Sequence, residues 1–439
     1  MIVRHFSGLF VCLLLVVVGV QSSLARPNGS LKYRIVRTEN PDAHGSWLVI
    51  PFAFPSDSMG TTFGVGGITR GYLQEQMGAG LALFGSADEA EGSLFSIWDF
   101  RVPGLDRMYL SFIGSLGDYP RQRAYANYPG DFTGDKAGSN DSLPDDYVED
   151  DGSHNWLNLK MEYVLPIGTA ADDPVVTYQL KNGILISEPS GGRSWNPLSS
   201  GVTVLMLQQR FDYQSYETDI GKIDGKVKPV DLALLYNNTD FAPNPSSGSS
   251  QYLSFTHDFY DSEQNGTWTF MEFEASKYFS LDASDFALQR VIALNMWTGY
   301  SPEWDKQTDA DGVSRIDNKT PFSEGARLGG FYRMRGYPVD RFNDRAVIYA
   351  TAEYRYTLRW NPLRDMAWLD FLEPDWLQLV ASVEGGQVAE EYSMSALFDD
   401  WKACGGVGIR FMLSGTVFRF DVSFSDEGSS AWAMVGHPF

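Results

Sequence analysis

The stretch VFRFDVSFS, from Val417 to Ser425, alternates apolar and polar side chains without a break. Successive side chains of a strand point to opposite faces, so its phenylalanines share one face with Val422, while Arg419, Asp421 and Ser423 share the other. One face suits lipid and the other suits water, as in a membrane-spanning strand. Soluble sandwiches also alternate, so the number of such segments decides more than any single one.

Similar segments recur along the whole chain. They include VIYATAEYRYTL at 347–358 and LQLVASVE at 377–384. Sixteen can be marked, beginning near Trp47, Thr61, Met77, Ser93, Arg107, Trp156, Val202, Val230, Gln251, Thr267, Ala287, Val347, Trp376, Ala403, Val417 and Ala431. Single-chain bacterial barrels need an even number, and the 22 Tyr and 12 Trp supply interfacial girdles. The sequence predicts an all-β protein, a transmembrane antiparallel β-barrel of about 16 strands.

The N-terminus has the pattern of a secretory signal peptide. Arg4 and His5 precede an apolar run from Leu9 to Val20, and a small-residue cleavage pattern follows at 23–25. The run is shorter than the roughly 20 residues of a spanning helix. We therefore expect a signal peptide at 1–25, a short periplasmic segment at 26–45 and an outer-membrane β-barrel at 46–439.

The net charge of the chain limits the kinds of partner that it can bind. The formal net charge of −22 argues against nucleic acid. We expect contact with outer-membrane lipid and lipopolysaccharide, no cofactor and a monomer, whereas the sequence identifies no client or periplasmic partner. One cysteine, Cys404, follows the predicted signal peptide, so no internal disulfide is expected.

Two long connections stand out from the turns. The acidic run YPGDFTGDKAGSNDSLPDDYVEDDGSHN, at 128–155, is predicted to be a surface loop. Residues 168–200 fall on the periplasmic side by strand parity. Their apolar stretch VVTYQLKNGILI either pairs as an extra hairpin or extends into the barrel.

A third connection, roughly Ser301 to Asp344, carries the stretch RLGGFYRMRGYP at 327–338. Three arginines and three glycines lie there among aromatic residues, in an acidic chain. Counting strands back from Phe439 places both ends of this loop at the cell surface.

The tetrapeptide MRGY, at 334–337, resembles the V/I-R-G-F/Y hallmark in the sixth surface loop of BamA/TamA-type outer-membrane barrels, the bacterial surface antigen family. AEYR at 352–355, VEGGQV at 383–388 and GGVGIRFML at 405–413 follow in the family's order and spacing. The resemblance covers 327–439. It implies that the loop folds into the barrel lumen and that Arg335 contacts acidic residues on neighbouring strands.

Carried over residue by residue, the loop motif consists of Met334, Arg335, Gly336 and Tyr337, and its wall partners are Glu353 and Glu384. Alternation independently places both glutamates on the lumen face, where a guanidinium finds bidentate acceptors. Ser382 replaces the family's usual aromatic residue, and Glu384 its aspartate, so the contact with Glu353 is the better supported. A solvated charge pair in a flexible surface loop is the alternative.

The ends of the barrel carry two further signals. AWAMVGHPF closes the chain on Phe439, and an aromatic last residue on an alternating strand is usual in bacterial barrels. Pro51 and Pro438 cannot donate a ladder hydrogen bond. They indicate a weak seam between the first and last strands, unless both lie beyond the pairing.

The resemblance implies an integral outer-membrane barrel linked to protein or lipid insertion or export. The family's assembly members carry POTRA domains, for which 26–45 leave no room. The alternative is a passive diffusion channel or a structural surface barrel. We expect no enzyme, because no histidine lies in a nucleophile–base motif. We also expect no metal site, because TDADGVSR at 308–315 lacks the glutamate of a calcium loop.

Overall fold

The fold is described from a computed structural model that covers residues 31–39, 45–56, 58–127, 130–192, 194–218, 221–262 and 266–439. The predicted signal peptide at 1–25 lies outside these residues. Within them, no helix is long and apolar enough to cross a bilayer.

The described residues form twenty-four strands and four short helical turns. The strands are β1 (Tyr33–Arg37), β2 (Ser46–Ser56), β3 (Gly60–Arg70), β4 (Gly78–Ser86), β5 (Glu91–Arg101), β6 (Met108–Ala124), β7 (Val148–Val164), β8 (Val176–Lys181), β9 (Ile184–Leu185), β10 (Val202–Thr218), β11 (Gly221–Val227), β12 (Val230–Asn237), β13 (Gly248–Ser262), β14 (Gly266–Leu281), β15 (Ala287–Tyr300), β16 (Asp305–Thr308), β17 (Ser314–Asp317), β18 (Ala326–Leu328), β19 (Phe342–Asp344), β20 (Ala346–Leu358), β21 (Pro374–Ala389), β22 (Lys402–Leu413), β23 (Thr416–Ser425) and β24 (Gly428–Val435). The helical turns are Gly168–Ala170, Pro362–Asp365, Ala367–Leu372 and α1 (Met394–Leu397).

Sixteen of these strands, β2 to β7, β10, β12 to β15 and β20 to β24, pair consecutively and antiparallel into a barrel. The predicted fold class is confirmed. β7 begins eight residues before the predicted Trp156, at Val148. The first residues of β7 are acidic on both faces of the strand. A strand that projects beyond the bilayer needs no apolar face there.

The two faces of the wall differ as the alternation predicts. On β23, Phe420 and Phe424 are 46% and 57% exposed toward the lipid side, whereas Arg419, Asp421 and Ser423 are buried in the lumen. Aliphatic and aromatic side chains are likewise exposed on the outside of the other strands. This apolar belt is the surface that a barrel offers to acyl chains.

The barrel has a terminus end and a loop end. The barrel starts and finishes at the terminus end, since β2 begins there and the even number of barrel strands brings the end of β24 back to it. The connections 125–147, 301–345 and 390–401 meet at the loop end. Arg341 joins two of them, because it donates through Nη1 to Ser142 Oγ (2.9 Å) and through Nη2 to the Ser142 carbonyl (2.7 Å).

A three-stranded sheet closes part of the terminus end. β1 pairs in parallel with β8, which forms a hairpin with β9, so VVTYQLKNGILI adopts the hairpin alternative. β1 lies within the predicted segment 26–45. Tyr178 and Leu180 pack in one apolar cluster with Val164 and Trp376 from the ends of barrel strands.

The N-terminal segment is also tied to the wall by charge. Lys32 is fully buried and donates to Asp99 Oδ1 (2.6 Å) and Glu162 Oε2 (2.7 Å). Arg37 forms a bidentate pair with Asp375 (2.5 and 2.7 Å). A buried charge is tolerated when it is paired in this way. We call β1, β8 and β9 the terminus sheet.

The seam lies between β2 and β24. Among the residues that the structure describes, β2 has a backbone ladder with β3 and β24 has one with β23, and no ladder pairs β2 with β24. β2 contains Pro51 and Pro55, neither of which has an N–H to donate. Leu48 of β2 and Val435 of β24 instead belong to one apolar cluster, so side chains hold the two edges near the terminus end.

Candidate functional site

The connection from 301 to 345 forms the centre of the site. Two short hairpins, β16–β17 and β18–β19, shape it, and its MRGY segment makes a tight turn in the lumen. The Tyr337 N–H donates to the Met334 carbonyl (3.0 Å). Met334 has a left-handed backbone, with φ of 54°, and its side chain is fully buried with Tyr337 and Phe342. Packing therefore maintains a conformation that a residue other than glycine rarely adopts.

Arg335 is buried and binds three carboxylates from three strands. Its Nε donates to Glu384 Oε1 of β21 (2.6 Å), Nη1 to Asp421 Oδ2 of β23 (2.7 Å) and Nη2 to Glu353 Oε1 of β20 (2.9 Å). The planar guanidinium offers its donors in a fixed fork, so one side chain fixes the loop against three strands at once.

Other arginines surround two of the three carboxylates. Glu353 also accepts from Arg410, at 2.6 and 2.9 Å, and from Arg355, at 2.9 Å. Asp421 also accepts from Arg419 Nη1 (2.7 Å). Glu384 differs, because its further side-chain donor is the Tyr349 hydroxyl (2.7 Å). Of the three acids, Glu384 thus depends most on Arg335.

Gly336 lets the turn approach the wall. A Cβ at residue 336 would lie 2.7 Å from the Cβ of Cys404 and 2.9 Å from the backbone carbonyl carbon of Phe424. The Gly336 N–H points to Cys404 Sγ at 3.4 Å. Glycine is therefore required here for close approach rather than for a positive φ.

Two aromatic residues complete the anchorage. The Tyr337 hydroxyl donates to Asp426 Oδ1 (2.6 Å), and Trp432 Nε1 of β24 donates to the Arg335 carbonyl (2.8 Å). Through Trp432 the last strand of the barrel contacts the motif directly. Whatever moves β24 at the seam also moves a hydrogen bond to the loop.

The comparisons with known proteins agree with this geometry. Residues 207–429, just over half of the chain, match the Omp85 superfamily domain. The chain belongs to the Omp85 superfamily. The predicted resemblance to BamA/TamA-type barrels is thereby confirmed, and this Omp85 barrel resides in the bacterial outer membrane, where its apolar belt contacts lipid.

Among solved structures, CdiB from Escherichia coli is similar, with a TM-score of 0.52 and 11% sequence identity over 89% of this chain and 62% of that chain. BamA from Haemophilus ducreyi lacking POTRA domains 1–3 gives 0.47 and 12%, over 90% of this chain and 70% of that chain. At such low sequence identity, these similarities show a shared fold and do not indicate a shared function. No curated protein matches the chain.

The structure brings the predicted motif and its wall partners together in the Omp85 barrel. Arg335 lies within hydrogen-bond distance of both Glu353 and Glu384. Sequence reasoning missed Asp421, although the alternation of VFRFDVSFS already placed it on the lumen face. The family resemblance pointed to the two glutamates, and nothing in the local pattern of β23 singles out its carboxylate.

Arg327 and Arg333 pair separately. Arg327 Nη1 donates to Asp340 Oδ2 within the loop (2.8 Å). Arg333 Nη2 donates to Glu274 Oε2 (2.7 Å), and its guanidinium lies 3.8 Å from the centre of the Trp297 ring. Each arginine of RLGGFYRMRGYP has an acidic partner in the barrel, so the stretch is no free basic patch.

Phe439 does not lie on the strand to which the sequence assigns it. β24 ends at Val435, and Gly436, with φ of 82°, turns the chain inward. Phe439 is buried in the lumen with Tyr278 and Val291 of the opposite wall. A left-handed glycine breaks the alternation, which is why extending the strand to the terminus fails.

His437 fixes this C-terminal tail. Its Nδ1 lies 2.7 Å from Arg410 Nη1, and its Nε2 lies 3.1 Å from Asn244 Oδ1. A guanidinium only donates, so Nδ1 accepts and the ring proton sits on Nε2. The tail thus shares Arg410 with Glu353. We call Arg335 and its three carboxylates, Glu353, Glu384 and Asp421, the loop anchor.

Two lysines at the loop end carry shifted pKa values. Lys136 is buried and donates to the Asn343 carbonyl (2.6 Å), and burial lowers its pKa. Burial and the nearby charge of Lys136 lower the pKa of Lys319 to about 8. Within the described ranges, no group of three histidine, cysteine or acidic side chains is placed to hold a metal ion.

Proposed function

We propose that this Omp85 barrel inserts or exports protein or lipid at the outer membrane, through its seam and without catalysis. The observation that carries the proposal is the seam between β2 and β24, which has no backbone ladder in the described part of the chain. Every other neighbouring pair of barrel strands has one, so this is where the wall separates at the lowest cost in hydrogen bonds.

The seam is coupled to the loop anchor. Trp432 on β24 binds the Arg335 carbonyl, and Arg335 binds β20, β21 and β23. Movement of β24 therefore acts on a buried charge cluster rather than on a solvated loop. We propose that the terminus end faces the periplasm and that the loop end faces the cell surface, as in bacterial barrels with long outer loops.

Reconstitution tests the insertion role. The purified chain is placed in phospholipid vesicles, and a urea-unfolded eight-stranded barrel is added as the client. We expect the heat-modifiable, folded fraction of the client to grow faster than with empty vesicles. An Arg315→Met variant, which loses an exposed ion pair with Asp317, serves as the matched control and should act like the wild type. Equal client folding with and without the protein would sink the proposal.

A passive diffusion channel predicts a different result. The loop and the terminus sheet both occupy the path along the lumen, so the proposal predicts no large steady conductance in planar bilayers. A stable, large single-channel conductance of the wild-type chain would favour the channel over insertion or export.

A further inference from the structure

The lumen face of the barrel has two chemically different halves. β20 to β23 present the charged cluster around Arg335. β2 to β5 present apolar side chains and glycines, since cross-strand partners share a face and Leu48 pairs with Ile68 while Ala82 pairs with Leu94. The residues before and after these, such as Val49 and Leu83, are exposed on the lipid side. These strands are therefore apolar on both faces, although a barrel lumen is normally polar.

A cavity of about 750 Å³ lies against the apolar half. Its boundaries include Ile35 of the terminus sheet, Ile50 and Ile68 of the wall, and Val435 at the end of β24. The volume falls in the range of roughly 300–1,000 Å³ that is usual for small-molecule sites. Because Ile50 and Val435 come from the two strands that flank the seam, the cavity borders the seam.

The polar part of the lining is basic in an otherwise acidic chain. Arg34, Arg37, Arg70 and Lys160 line the cavity together with the acids Glu75 and Glu373. Arg34 pairs with Glu75, and Arg37 pairs with Asp375 and Glu373. Arg70 lies over the rings of Tyr33 and Trp98, with its guanidinium carbon 4.3 and 5.9 Å from the two ring centres.

Arg70 stands at the terminus end of β3, on the lumen face next to the apolar wall. A guanidinium that contacts aromatic rings can still donate its N–H groups to an anion, and the fork of donors matches phosphate geometry. An apolar groove with a basic end complements an acyl chain that carries an anionic headgroup. The bilayer outside the seam is the nearest source of such a molecule.

We infer that this cavity binds one anionic phospholipid, which enters from the bilayer through the seam. Its acyl chain lies along the wall of β2 to β5, and its phosphate binds Arg70. The inference deepens the proposed function and rests on it, because it names a phospholipid as the molecule that the seam admits.

Native mass spectrometry of the full chain in detergent tests the site. The probes are palmitoyl-oleoyl phosphatidylglycerol and the matching phosphatidylcholine, and the readout is the lipid that stays bound after the detergent is removed. Ile50→Trp fills the cavity. Leu83→Trp, the matched control, adds the same side chain on the lipid-facing side of β4. Heat-modifiable migration on gels verifies that each variant is folded.

We expect the wild type and Leu83→Trp to retain one phosphatidylglycerol in preference to phosphatidylcholine, and Ile50→Trp to lose both. Arg70→Glu should lower the retained phosphatidylglycerol by about tenfold or more, as for a lost charge-assisted hydrogen bond. Equal retention by Ile50→Trp and Leu83→Trp, or equal retention of both lipids by the wild type, would overturn the inference. Retention without client insertion would leave the site standing and defeat the proposed insertion role.

Discussion

Removal of the Arg335 guanidinium should release the loop, and native Cys404 reports the release. Cys404 is buried beneath the Gly336 N–H, and the chain's other cysteine lies in the predicted signal peptide. In Arg335→Met, Glu353 keeps Arg355 and Arg410, and Asp421 keeps Arg419. Glu384 keeps a tyrosine hydroxyl and becomes a buried charge without a cation.

An orphaned buried charge costs about 3–5 kcal/mol. Since every 1.4 kcal/mol is tenfold in an equilibrium, loop opening should rise roughly a hundredfold to several thousandfold. The assay is the rate at which a soluble maleimide labels Cys404 in the detergent-solubilised barrel. Arg315→Met, which removes an exposed arginine of the same loop, is the control and should label like the wild type, because exposed ion pairs contribute about 0–1 kcal/mol.

Second substitutions separate this reasoning from a general loss of structure. In the Arg335→Met background, Glu384→Gln removes the orphaned charge and should slow labelling by about tenfold or more. Glu353→Gln should not, because it takes the acceptor from Arg355 and Arg410. Labelling of Arg335→Met within twofold of the wild type, or equal rescue by both second substitutions, would refute the account.

Three further predictions concern the rest of the barrel. Lys32→Met leaves the buried Asp99 without its ion-pair partner, while Glu162 keeps Lys160, so the temperature of heat modification should fall markedly, whereas an unchanged value would contradict the attachment of the N-terminal segment to the wall. The pKa of Lys319 is lowered from its ordinary 10.5 to about 8, so the stability of the loop end should rise as the pH increases from about 8 to 10.5. Amine labelling of Lys319 should have its midpoint near pH 8, and a midpoint near 10.5 would contradict this. Asp135→Cys, in the exposed acidic loop, should label on intact cells, and labelling only after the outer membrane is disrupted would invert the orientation.

Most of the barrel could be predicted because strand alternation is a local signal. The division of VFRFDVSFS into a lipid face and a lumen face needs no distant residue, and it holds in the structure except at Phe418, which is buried in the apolar cluster with Leu48. The loop anchor was predictable in part. Glu353 and Glu384 follow from a family motif and parity, whereas the role of Asp421 depends on how three strands converge on one guanidinium.

Other features depend on contacts far apart in sequence. β1 is five residues long, too short for a periodicity signal, and its partner strand starts at Val176. The placement of Phe439 follows from the turn at Gly436 and from a pocket on the opposite wall. Neither is visible in the alternation, because both arise from packing between distant segments.

Hydrogen–deuterium exchange of the wild-type chain tests the central claim most directly. If the MRGY turn is anchored in the lumen, the amides of 334–337 should exchange as slowly as those of β20, while the exposed tip of the β16–β17 hairpin, at 309–312, exchanges fast. Exchange of 334–337 at the rate of that tip would show a solvated surface loop and contradict the account.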